Sequence, residues 1–146
     1  MKRNKFIENG KPILEVRKTS EWLRYDICAL DGRYMCSIYK YADGFSISLN
    51  MSKDKPIATA AREHFLGMQY GSYVGNVGKK RLEVDRNSIK IDNVVVAKHS
   101  GTNAGFVNAF ISAYTYRMHY IEASDSITEE NAIICVAIYA YLNYIR

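Results

Sequence analysis

Long hydrophobic runs are missing from this 146-residue chain. The longest, Ala132 to Leu142, is about half the ~20 residues that a membrane-spanning helix needs. The basic opening Met1-Lys2-Arg3-Asn4-Lys5 is not followed by an apolar segment, which argues against a secretory signal. Two prolines and nine unrepeated glycines exclude collagen-like and proline-rich linker architectures. Three cysteines, Cys28, Cys36 and Cys135, form neither an even disulfide framework nor a CxxC pair. Cys28 and Cys36 flank Asp31-Gly32 and are candidate cross-strand neighbours. Packed thiols in a reducing compartment are the preferred reading over a redox pair. His64, His99 and His119 have no partner at metal-ligand spacing, so no metal is expected. The run Gly71 to Lys80 ends in Gly78-Lys79-Lys80 but lacks the hydroxyl residue of a phosphate loop. No catalytic constellation remains, so neither an enzyme nor a cofactor is expected. The expected setting is cytoplasmic, with attachment at a membrane surface.

What is present suits a folded β-rich protein. Hydrophobic residues make up 48%, enough to offset the entropy of ordering the chain. Tyrosine is abundant, with 12 residues, and suits half-buried strand surfaces. The length implies one domain over 1–146, with 1–10 as a loose N-terminal tail. The net charge is +5, and it is unevenly placed. Residues 1–81 carry 15 basic and 8 acidic side chains; the rest carry 5 and 7. A cationic face of this kind suits phosphate-bearing partners, whether lipid headgroups or nucleic acid.

Period-two patterning covers most of the chain. Trp22–Leu30 and Arg33–Tyr41 alternate around Asp31-Gly32, a strong hairpin signal. Asp43-Gly44 makes a second turn before Phe45, Ile47, Leu49 and Met51, which alternate with polar residues. Lys53-Asp54-Lys55-Pro56 is a turn, and Ile57–Arg62 is a strand or short helix. The glycines of Phe65–Val74 suggest bent strands. Lys79–Asp85 and Ser88–Ala97 read as a strand pair joined by Arg86-Asn87. Phe106–Glu122 is ambiguous, with strand favoured in its second half. Ser126 to Glu129 matches a capping box, which opens a helix over Ala132–Leu142 with no charged residue on any side. Such a helix must be enclosed, and it is too short for lipid. The expected architecture is mainly β with one C-terminal helix: a closed antiparallel β-barrel around a central hydrophobic α-helix. An open sheet with the helix on one face is the alternative.

Four runs resemble the tubby-like C-terminal domains, a superfamily shared with the scramblases and the LURP-one-related proteins. Arg62-Glu63-His64-Phe65-Leu66-Gly67-Met68-Gln69-Tyr70 is similar to the family's R-S-N-F-L-G-T-K-F. Asn76-Val77-Gly78-Lys79-Lys80-Arg81-Leu82 is similar to its N-V-L-G and following basic stretch. Tyr116-Arg117-Met118-His119-Tyr120 and Ala132-Ile133-Ile134-Cys135 resemble its closing strand and helix. The resemblance implies a barrel around a helix and binding of phosphoinositide or other anionic lipid headgroups. It places Arg62 at the headgroup. Lys79, Lys80, Arg81 and Arg86 complete the candidate lipid-binding set, with Arg supplying a bidentate fork and Lys a point charge.

Three functions stay open. The first is a non-enzymatic phosphoinositide- or anionic-lipid-binding module at membrane surfaces. The second is a protein-interaction or regulatory domain without lipid binding, which Ala60, standing two residues before Arg62 in place of the family's Lys, favours. The third is weak nucleic-acid binding through the same basic face, with Tyr70 and Tyr73 as stacking residues.

Overall fold

The computed structural model describes residues 5–8, 11–65, 68–85, 87–99, 121–124 and 126–146. Eleven strands form one sheet: β1 (Lys5–Glu8), β2 (Lys11–Lys18), β3 (Arg24–Ala29), β4 (Tyr34–Lys40), β5 (Gly44–Ser48), β6 (Ala58–Phe65), β7 (Met68–Val77), β8 (Lys80–Val84), β9 (Ser88–Ile91), β10 (Val94–His99) and β11 (Ile121–Ala123). Each pairs antiparallel with its neighbour in sequence, so the spatial order is the chain order. Helix α1 (Glu129–Ala140) follows, and a π-helical turn (Tyr141–Ile145) extends it.

Alternation decides the two faces. Ile27, Cys36, Ile38, Phe45, Ile47, Ala58, Ala60, Tyr73, Leu82, Val84, Ile89 and Ile91 point to the inner face and form the core with α1. The outer face of β4 and β5 is also buried, although it carries Ser37, Ser46 and Ser48. Tyrosines make this possible. The Tyr34 hydroxyl bonds Ser37 Oγ at 2.6 Å, Tyr41 bonds Ser46 Oγ at 3.4 Å, and Tyr39 donates to the Met51 carbonyl at 3.1 Å. Ser37 also donates to Asp26, which Arg24 grips with two nitrogens. Every buried hydroxyl in this layer therefore has a partner, as burial requires.

Two glycines stand where a neighbouring strand leaves no room for a side chain. A Cβ on Gly75 would overlap the Thr59 carbonyl, and one on Gly44 would overlap that of Ala60. Strands β5, β6 and β7 thus approach more closely than side chains would permit.

The mainly β content and the C-terminal helix are as expected, but the closed barrel is not formed. The sheet is open: no pairing joins β1 to β11 among the described residues. Curvature of a long sheet, not closure, covers the helix, because α1 touches both β4 and the β10–β11 edge. Ile134, Cys135, Ala137 and Ile138 are buried, whereas Ile133 and Val136 on one stripe are only half-buried. The helix cap also lies two residues later than the expected box: Thr128 Oγ1 accepts from Asn131 N at 3.2 Å. The thiols are free and buried. Cys36 pairs with Ile27 and Cys28 with Tyr34, so the two thiols face opposite sides of the sheet. The ambiguous Phe106–Glu122 segment lies outside the described residues up to position 120.

Candidate functional site: one end of the sheet

In an uninterrupted meander, successive turns alternate between the two ends of the sheet. Turns 30–33, 49–57, 78–79 and 92–93 therefore share one end, called here the Lys79 end. Turns 19–23 and 41–43 share the other, with the last turn of the helix.

Hydrogen bonds tie the turns of the Lys79 end into a row. Met51 N donates to the Tyr34 hydroxyl at 3.1 Å, beside turn 30–33. Gly78 N donates to the Ile57 carbonyl at 3.2 Å, two residues from Lys55. Asp92 N donates to the Arg81 carbonyl at 2.8 Å, and Arg81 N returns a bond to Asp92 Oδ1 at 3.0 Å. This row carries Arg33, Lys53, Lys55, Lys79, Lys80 and Arg81, all exposed, with Arg33 in the same turn as Asp31. Asp31, Asp54 and Asp92 are the acidic residues of the same turns, and Glu129 and Glu130 begin the helix at this end. The row also exposes Leu30, Met51, Val94 and Val95.

The local sequence explains the presentation. Gly78 has φ +59°, which lets Lys79 turn tightly into β8. Asp92 and Asn93 both have positive φ, the requirement of the tight hairpin turn whose twist matches the strands. Lys80 sits at the rim, opposite Val77. Arg81 lies on the outer face, opposite Asn76, where its Nε donates to Glu83 Oε1 at 2.6 Å.

Arg62 does not join this group. It pairs with Tyr73, five residues before Gly78, which places it roughly 15 Å from the Lys79 turn along the strand. It shares the inner face with Ala58 and Ala60. Its Nη2 donates to the Tyr73 hydroxyl at 3.1 Å, and its guanidinium lies over the Tyr73 ring, 5.6 Å from the centroid. The hydrogen bond and the charge of Tyr73 both push the Arg62 pKa up. Burial pushes the Tyr73 phenol up, but Arg146, Arg62 and Tyr141 outweigh it, and the net direction is down. Phe45, Tyr73 and Tyr141 pack around this contact, with centroids 4.4 to 5.8 Å apart. Arg62 therefore closes the core near the helix C-terminus, where Lys40 Nζ also caps the Ile145 carbonyl at 3.3 Å. Of the expected set, Lys79, Lys80 and Arg81 are neighbours, Arg62 faces inward at the far end, and Arg86 lies outside the described residues.

Sequence reasoning missed Lys53, Lys55, Met51, Val94 and Val95 as companions of Lys79. The signal was the turn Lys53 to Pro56, whose place beside residue 78 follows only from the register of β6 with β7. Among the described residues no group of acidic, histidine or cysteine side chains could hold a metal ion, and no helix is long and apolar enough to cross a membrane. No family model, curated protein or solved structure matches the chain.

Proposed function

We propose that this protein is a non-enzymatic module that docks on phosphate-bearing anionic lipid surfaces through its Lys79 end. The observation that carries this is the hydrogen-bonded row of turns, which brings Lys53 and Lys55 beside Lys79 and Lys80. Several flexible ammonium groups on one rim suit many phosphates at a surface better than one deep pocket does. Each such lysine contributes about 1 kcal/mol at an anionic membrane. Lys79→Gln with Lys80→Gln then costs about 2 kcal/mol, or roughly 30-fold in affinity. The test is co-sedimentation with phosphoinositide-containing and neutral vesicles. Binding should need the anionic lipid, weaken with salt as the screening length shortens, and drop in the double variant. Arg62→Lys should leave it unchanged, because that side chain serves the core. Charge reversal at Lys2 and Arg3 is the control; an equal loss there means only diffuse attraction and refutes the site.

A second reading is a protein-interaction domain. Trp22 favours it: the side chain is 82% exposed in the turn before Leu23, whose φ is +57°. Absence of binding to every vesicle at low salt would decide for this reading.

A further inference from the structure

We infer that Met51, Val94 and Val95 enter the acyl layer when the Lys79 end docks, so that the partner is an assembled bilayer. This rests on the headgroup reading above and adds the apolar half of the contact.

Three observations support it. First, the exposed large aliphatics of the described residues concentrate at this end: Leu30, Met51, Val94 and Val95 are 43%, 49%, 62% and 38% exposed. Cations flank them, and lysine stems can lie along an apolar surface while their ammonium groups stay at phosphate level. Where Lys53, Lys55, Lys79 and Lys80 border it, this apolar tip complements an anionic bilayer in both charge and polarity, while Asp31, Asp54, Asp92, Glu129 and Glu130 at the same end offset part of that charge.

Second, Met51 is held out at a cost. Its φ is +60°, a conformation that bulky L-residues avoid. A glycine there would be free of that strain, but it would present no side chain.

Third, the backbone at Met51 and at the Asp92 N–H is ready for a medium without water. Met51 N donates to the Tyr34 hydroxyl and its carbonyl accepts from Tyr39, each at 3.1 Å. Asp92 N is likewise bonded, to the Arg81 carbonyl. Peptide groups that keep their partners can approach hydrocarbon without the penalty that open loops incur.

The test compares anionic vesicles with inositol hexakisphosphate, a soluble polyphosphate. Met51→Ser and the pair Val94→Ser, Val95→Ser should each weaken vesicle binding roughly 5- to 10-fold and leave hexakisphosphate binding unchanged. Met51→Gly should weaken vesicle binding equally while its melting temperature rises, which separates lost contact from lost fold. Met51→Trp in a Trp22→Phe background should shift its emission to the blue on vesicles and be quenched by brominated acyl chains. Trp22 in the natural chain, at the opposite end, should show neither change. Serine variants that bind vesicles like the natural chain, with hexakisphosphate still bound, overturn insertion alone. Loss of both vesicle and hexakisphosphate binding in the natural chain overturns the headgroup reading and insertion with it. A blue shift of Trp22 overturns the assignment of this end.

Discussion

The open sheet makes a quantitative demand on helix α1: its stripes should differ in worth. Ile138 has no exposed surface, whereas Val136 is half-buried. Replacing a fully buried Ile by Ala costs about 2–5 kcal/mol, from lost transfer energy and an unfilled cavity. Alanine returns roughly 0.4 kcal/mol because it is the better helix former. A net loss of about 3 kcal/mol is expected for Ile138→Ala. Val136→Ala removes fewer atoms, half of them already wet, and regains a similar propensity term. Its net loss should be about 0.5 kcal/mol. For a chain of this length each kcal/mol lowers the melting temperature by about 3 °C, so the two variants should fall by about 9 and 2 °C. Urea unfolding followed by circular dichroism measures both losses, with an unchanged slope as the check on two-state behaviour. Equal losses from the two variants would mean that the helix is enclosed evenly on every side. That result would refute the open sheet.

Two further outcomes follow from the buried thiols and the glycine joint. Burial pushes Cys36 and Cys135 up to about 12 from 9.0, so the unfolded thiols lose their protons first as pH rises. The folded chain binds more protons above pH 9, and stability should fall by about 2 kcal/mol between pH 9 and 10 for the two together. Urea midpoints across that range check this, and a flat profile, or rapid native-state labelling of Cys135, would place the thiols in water. Gly75→Ala should cost about 3 kcal/mol or more, since its Cβ meets the Thr59 carbonyl and lies 2.6 Å from Ala60 Cα. A melting temperature within 2 °C of the natural chain, about 0.7 kcal/mol, would show that β6 and β7 can part freely.

The strands of the meander were legible because Asp31-Gly32 and the alternation of Phe45 and Ile47 with serines leave one reading. Ser88–Ala97 was not, because Asp92-Asn93 breaks it into β9 and β10 without a glycine or proline. Only the positive φ of both residues marks that turn. The helix was legible as an uncharged run, yet the absence of a polar face did not say what encloses it. A curved sheet satisfies the same requirement as a closed one. Arg62 carried a usable signal. Period two places it with Ala58 and Ala60, opposite the polar face of Thr59 and Glu63, and so inside. The joining of Lys55 to Lys79 depends on register between strands, which pattern along one strand does not contain.

The chain-order sheet also bears on how the protein is made. From β2 to β10 every strand pairs with the one synthesised just before it across a short connection, so closure of these hairpins costs little entropy. The helix that covers the inner face follows all eleven strands. While the chain emerges from the ribosome, Ile27, Ile38, Phe45 and Ile47 are paired along their backbones but bare on their apolar side. Such a surface is prone to aggregation until α1 arrives. The final twenty residues thus act as the step that commits the fold, and a premature stop between Ala123 and Ile134 should yield an insoluble sheet with most of its hydrogen bonds in place.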